Sequence, residues 1–200
     1  MSDTTAEIQE IADRALKNKQ VREELIANLS GASRRERQMS ASILAMVAKK
    51  DHTLLSNNVN DFIDALNRPE AQTRWESLDV ITSLIDAEPR ACEKAIPGAE
   101  SALFDEDSGP VRLAAMRFFC RYGATTENRS EKVWPLIDEA IQCYHGDLEF
   151  TDMLNAVIEF SLGKLAASVK GELLERMKFD AENAKGSLKR RAQQIIDNVS

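Results

Sequence analysis

The sequence predicts an all-α chain of stacked helical hairpins, an α-solenoid of about five hairpins. Three observations predict it. Apolar residues recur at helical spacing along almost the whole chain, no stretch alternates in the manner of a strand, and one residue pattern returns at a period of roughly 35 to 45 residues. At 200 residues the chain is long enough to bury a substantial core within one domain.

Taken in order, the stripes are Ile8, Ile11 and Ala15; Val21, Leu25 and Leu29; Ile43, Leu44 and Val47; Val59, Phe62, Ile63 and Leu66. Further along come Ala71, Trp75, Leu78, Ile81 and Ile85, then Val133, Ile137, Ala140, Ile141 and Tyr144. Each set falls on one side of a helix. Breakers separate them at Ser30-Gly31, Asn67-Arg68-Pro69, Glu88-Pro89, Asp107 to Pro110, Gly123, Gly146-Asp147 and Lys185 to Ser187, which divides the chain into about eleven helices. Leu29, Leu66, Ile81, Leu84, Phe118, Phe119, Ile137 and Ile141 are the expected core. Trp75, on its stripe, is expected in that core as well.

The period is read from three segments opened by Arg37, Arg74 and Arg112. Three residues after each arginine comes a small residue, Ser40, Ser77 or Ala115, and then an apolar pair, Ile43-Leu44, Val80-Ile81 or Phe118-Phe119. A small side chain lets a neighbouring helix come close, and the pair fills the groove so opened. Weaker copies start at Met153 and Lys189, with Ala156 and Ala192 as the small residues, and the fourth copy departs from the pattern at Glu159.

With its acidic turn, Val-Arg pair and small-residue helix, SGPVRLAAMRFFCRYGA following AIPGAESALFDED resembles a HEAT repeat. EELIANLSGASRRERQMSASILAMVA and DFIDALNRPEAQTRWESLDVITSLI resemble two more. The resemblance covers nearly the whole chain, is strong over residues 20–145, and fades at both ends as capping repeats do. It implies a right-handed superhelix and a single domain over residues 1–200, with residues 1–30 as an N-terminal capping hairpin and 186–199 as a C-terminal capping helix.

Apolar residues make up 43% and charged residues 30% of the chain, the balance of a folded protein rather than a disordered one. No apolar run reaches the roughly 18 residues that span a bilayer, and the opening MSDTTAEIQEIADR is acidic, so a cytoplasmic protein with no membrane contact is expected. Cys92, Cys120 and Cys143 are odd in number and widely spaced, which predicts reduced thiols embedded in helices.

Few residues invite catalysis. His52 and His145 are the only histidines, and Cys143, Tyr144 and His145 point in divergent directions on a helix, so neither a metal nor a catalytic residue is assigned. No glycine-rich phosphate loop is present, and no cofactor is expected. HEAT-like enzymes that excise modified DNA bases or attach pigments leave an enzymatic alternative open by resemblance. Against base excision stands the charge. Between Asp51 and Phe160 there are 21 Asp and Glu against 9 Lys and Arg, and an acidic surface repels a phosphate backbone. Basic tips at Arg34, Arg35 and Arg37 and at Lys185, Lys189, Arg190 and Arg191 offer a nucleic-acid or ribosome contact as a third reading. The plainer one makes them solvated helix faces, with Arg37 in the repeat's own pairing.

The favoured function is a scaffold or adaptor for another protein, taking a basic or mixed-charge segment. In HEAT solenoids the second helix of each hairpin lines the concave side, and the resemblance places a partner surface at Asn57, Asn58, Asn60, Asp61, Asp64, Glu131, Trp134 and Asp138. Trp134 lies beside its apolar stripe, on a flank with Asp138, Gln142 and His145. That flank faces either a partner or the next repeat.

Overall fold

The computed structural model describes residues 2–200, with side chains from Ala6 onward. Among them the chain runs through twelve α-helices: α1 (Ser2–Lys17), α2 (Lys19–Asn28), α3 (Arg34–Asp51), α4 (Val59–Ala65), α5 (Ala71–Leu84), α6 (Pro89–Cys92), α7 (Ile96–Leu103), α8 (Gly109–Gly123), α9 (Glu127–Cys143), α10 (Phe150–Ser161), α11 (Ala167–Asn183) and α12 (Gly186–Val199). Two 3₁₀ segments, His52–Asn58 and Glu93–Ala95, lead into α4 and α7.

The breakers act by recognisable chemistry. Asn18, Ser33, Ser108 and Thr126 sit in extended backbone, and their side chains accept the free N–H groups of the first turns of α2, α3, α8 and α9; such caps stabilise a helix by about 1 kcal/mol. Pro89 and Pro110 occupy first turns, where a missing N–H costs nothing. Gly146 and Gly186 turn the chain at φ 93° and 62°, a region that L side chains rarely adopt.

The chain divides into two compact units, Met1–Ala102 and Leu103–Ser200. In the first, α1 packs on α3 and α3 on α5, forming a row, while α2 lies against α3 and α4 against α5. In the second, α8 packs on α10 and α10 on α12. There α9 lies against α8, α11 against α12, and α9 and α11 against each other.

The repeated pattern accounts for these rows. Ser40, Ser77, Ala115 and Ala192 are fully enclosed and Ala156 nearly so, and the pairs Ile43-Leu44, Val80-Ile81 and Phe118-Phe119 are wholly buried. In the fourth copy Glu159 is exposed and Phe160 buried, with Val157 supplying the second apolar group. In the fifth, Ile195 is buried and Ile196 only partly so. The other expected core residues are buried too. Phe118 meets Phe119 edge to face at 5.4 Å and stacks on Tyr122 at 6.0 Å, geometries that favour aromatic pairs.

Arginines of the pattern tie one repeat to the next. Arg37 donates to the carbonyls of Gly31 and Ala32 at 2.7 and 2.8 Å and forms a two-point ion pair with Glu70, which opens α5. Arg112 repeats the device: it donates to the Asp105 carbonyl at 2.9 Å and to Glu149, which opens α10. Planar guanidinium forks suit this double task better than a lysine would. In the row α3–α5, Gln72 donates to Ser42 and Ser42 to Glu76. At the turn after α10, a Cβ on Gly163 would lie 2.5 Å from that of Ala124, and the next residue, Lys164, donates its N–H to the Ala124 carbonyl at 2.8 Å.

Two expectations are corrected. Trp75 is partly exposed, because only the later members of its stripe, Leu78, Ile81 and Ile85, reach the enclosed side of α5. Cys92 and Cys120 are buried, but Cys143, the last residue of α9, is exposed. Burial pushes the Cys92 thiol up to about 11, with Glu88 adding to the effect, and raises Cys120 further.

Three outcomes are expected. Phe119→Ala should cost about 3 to 5 kcal/mol by opening a cavity; an unchanged denaturation midpoint would remove Phe119 from the core. The Oγ atoms of Ser40 and Ser77 are enclosed with no hydrogen-bond partner among the described residues. Ser77→Ala should therefore raise stability by about 1 kcal/mol, and a lower melting temperature would mean the hydroxyl is satisfied. The Arg37 hydrogen bond holds the Glu70 carboxyl below its usual value of 4.5, against the opposing pull of burial. The pair then contributes its stability fully above that value, and loses it as the pH falls through the lowered one. Glu70→Gln should flatten the acid limb of a melting-temperature profile below about pH 4.5; an acid limb as steep as wild type would contradict this.

Candidate partner-binding surface

The eight residues expected to form a partner surface fall into two groups, one in each unit. Asn57 and Asn58 end the first 3₁₀ segment, and Asn60, Asp61 and Asp64 lie on α4. Glu131, Trp134 and Asp138 lie on α9. None of them is on a second helix. The arginine pattern lies in the first turns of α3, α5 and α8, which makes these the second helices, and α4 and α9 first helices. That corrects the placement drawn from the resemblance.

In the first unit the residues remain available. Asn57, Asn60, Asp61 and Asp64 are exposed and Asn58 half-buried, with the Asn58 amide donating to Asp61 at 3.0 Å. Asp61 and Asp64 are three apart and share a helix face. From Asp51 to Asn67 there is no lysine or arginine, so this stretch carries the charge of Asp51, Asp61 and Asp64 undiluted. Beside it Asn57 and Asn58 open on a cleft of about 270 Å³ whose far wall is Lys19, Arg22 and Ile26 of α2. Arg22 is held there by the Ala15 carbonyl at 2.7 Å.

In the second unit the flank of α9 faces the next repeat. Trp134 is only 5% exposed. Its ring stacks on Phe160 at 6.4 Å with the planes 2° apart, and its Nε1–H donates to Glu172 of α11 at 2.5 Å. Asp138 accepts two hydrogen bonds from Arg176 of α11, and Ser168 donates to Glu131. Trp134 is therefore not an exposed anchor, and Glu131 and Asp138 are already engaged by α11. The seam continues at His145, whose Nε2 lies 3.0 and 3.2 Å from the buried Asp180 carboxylate and whose ring rests on Phe150. Since a carboxylate only accepts, that nitrogen carries the proton.

Two open cavities of about 350 Å³ each lie along this seam. One is walled by Asp138, Gly171, Glu172, Glu175 and Arg176. The other has Arg176 in common and continues past Ile141, Gln142, His145, Phe179 and Asp180. Phe179 is 70% exposed. Gly171 and Phe179 had no place in the sequence reading, although a glycine inside the helical stretch ASVKGELLERMKF is visible there.

The basic tips are partly internal. Arg37 is consumed by Glu70, as its place in the repeat implied, and Arg191 donates to Asn155 at 2.8 Å, whereas Arg34, Arg35, Lys185, Lys189 and Arg190 are exposed. Among the described residues no three His, Cys, Asp or Glu converge as a metal site would require.

Comparison with known proteins gives no matching family model and no similar curated protein. Solved structures do match. A designed armadillo repeat protein in complex with the peptide (KR)4 superimposes with a TM-score of 0.76 at 12% identity, over 98% of this chain and 92% of that one. Computationally designed armadillo repeat proteins for modular peptide recognition match at 0.72 and 12%, over 99% and 94%. An engineered protein from a structural genomics programme matches at 0.74 and 13%, over 100% and 94%. At such identities the likeness speaks for the fold alone, and it is decisive there: the chain folds as a repeat α-solenoid of the armadillo and HEAT type.

Proposed function

We propose that the chain is a non-catalytic, cytoplasmic protein-binding scaffold, and that it holds a basic or mixed-charge segment of another protein. The observation that carries this reading is the exposed face of Asn57, Asn60, Asp61 and Asp64, in a stretch from Asp51 to Asn67 free of lysine and arginine. Carboxylates three apart on a rigid helix attract a cationic chain, and the neighbouring amides of Asn57, Asn58 and Asn60 can bond the backbone of an extended one. The wider excess of 21 acidic over 9 basic residues between Asp51 and Phe160 works in the same direction at longer range. Two of the fold's likenesses are a designed repeat protein bound to (KR)4 and others made for modular peptide recognition. A scaffold of this architecture is suited to such ligands.

The octapeptide of alternating lysine and arginine is the direct probe. Binding should be measurable at low salt and should weaken steeply as salt rises. The double variant Asp61→Asn with Asp64→Asn should slow association about three- to tenfold and flatten the salt dependence, with dissociation little changed. Because both side chains are exposed, the helical spectrum and melting temperature should stay as they are. An association rate unaffected by the double variant would sink this placement of the site. No binding of the octapeptide at low salt would sink the reading itself.

A further inference from the structure

We infer that the cleft between α2 and the first 3₁₀ segment receives the C-terminal residue of the bound segment, its free carboxylate at Arg22 and an apolar side chain at Leu54. This rests on the reading of the chain as a scaffold for a basic or mixed-charge segment, and it gives that segment an end and a direction.

The charge of Arg22 carries the inference. Its guanidinium lines the cleft and is anchored through Nη1 by carbonyls near the end of α1, Ala15 at 2.7 Å and Leu16 at 3.5 Å. Carbonyls fix a guanidinium in place without cancelling its charge. Arg37 and Arg112 are held by carbonyls in the same way, but each also meets a glutamate, Glu70 or Glu149. No carboxylate among the described residues bonds to Arg22. Lys19 and Glu23, 3.4 Å apart and well exposed, also border the cleft. Their charges offset each other, and the charge that remains is that of Arg22. Its Nε and Nη2 are left to donate, and a guanidinium takes a carboxylate at two points.

The rest of the wall selects a chain end over an internal Asp or Glu. Leu54 stays partly exposed beside the buried Leu55, and Ile26 stands one helical turn from Arg22. At a C-terminal residue the carboxylate and the side chain leave the same Cα, so both enter one small cleft together. An internal aspartate uses its side chain for the charge and has nothing left for Leu54. The cleft's volume of about 270 Å³ equals that of about nine water molecules, which suits one residue rather than a chain passing through. Across from Arg22 the exposed amide of Asn57 can bond the last peptide group.

The cleft adjoins the acidic face. From Asn58, just before α4, to Asp64 is six residues, about 9 Å along a helix, which an extended chain covers in about three residues. The basic residues that meet Asp61 and Asp64 therefore stand about two to four positions before the end.

The test titrates the full chain, at low salt, with an acetylated hexapeptide ending in lysine, arginine, serine and leucine, made once as the free acid and once as the C-terminal amide. The acid should bind about tenfold more tightly than the amide. Arg22→Gln should erase that preference and leave affinity for the amide within about twofold. Because Arg22 also anchors the end of α1, Leu54→Ser gives a second route: it should weaken binding of the acid about fivefold, and replacing the peptide's leucine by serine should then cost nothing more. Equal affinity of acid and amide for the unaltered chain would overturn the inference. So would an amidated peptide with aspartate in place of the leucine that binds as tightly as the acid, since the cleft would then take an internal carboxylate. The amidated lysine-arginine octapeptide separates the two readings: if it binds while acid and amide do not differ, the cleft is lost and the acidic face stands, and if it fails to bind, both are lost.

Discussion

Everything in each unit depends on how closely consecutive helices of a row approach one another. Ser40, Ser77, Ala115, Ala156 and Ala192 stand at the contact, and a side chain of any size there would hold the neighbouring helix off. Once the helices are close, the apolar pairs beside those positions have a groove to fill. Where an arginine stands three residues earlier, as Arg37 and Arg112 do, it reaches the preceding turn and the glutamate that caps the next helix of the row. Arg37 and Arg112 take equivalent contacts, with the glutamate 33 residues on in one case and 37 in the other. The period is thus a physical length. Tyr144 donates to the Leu103 carbonyl across 41 residues, and the bonds Ser168–Glu131, Arg176–Asp138 and Asn198–Ser161 span 37 or 38, about one repeat each.

That regularity made most of the fold legible in the sequence. Helical spacing located the stripes, breakers located the ends, and the arginine and small-residue pattern identified which helices form rows. The tryptophans were harder. Trp75 lies on its stripe and is partly exposed, whereas Trp134 lies off its stripe and is buried. Periodicity reports which side of a helix is apolar, measured against that helix alone. In stacked repeats a helix is covered from a second direction by the equivalent helix one repeat on, so α11 encloses a flank of α9 that reads as polar. Its cover is itself polar, the carboxylates and guanidinium of Glu172, Asp180 and Arg176. A hydrophobic count cannot see it.

The candidate surface divides along the same line. Asn57, Asn60, Asp61 and Asp64, expected as part of a partner surface, are exposed. Glu131, Trp134 and Asp138 were read as their counterparts and serve instead to fasten α9 to α11. The assignment to second helices failed for a related reason. The eight residues were placed by the rule that second helices line the concave side, while the pattern that marks second helices lies on α3, α5 and α8.

The state of the polar side chains also bears on whether this architecture catalyses or binds. A general acid or base needs a proton affinity poised near neutrality and a vacant coordination direction toward substrate. Here the enclosed carboxylates are spent on fixed partners: Glu70 on Arg37, Glu149 on Arg112, Asp180 on His145. The guanidinium at Glu70 holds its carboxyl low, the opposite of what an acid catalyst requires. Glu76 is raised, chiefly by burial, yet it is the terminus of the Gln72–Ser42–Glu76 chain that joins α3 to α5. Such groups rigidify a frame. Carboxylates that retain open faces, Asp61 and Asp64 on α4 and Glu175 on α11, are exposed and well hydrated. In the proposed scaffold such groups steer a cationic segment at long range, because exposed carboxylates act on encounter more than on affinity.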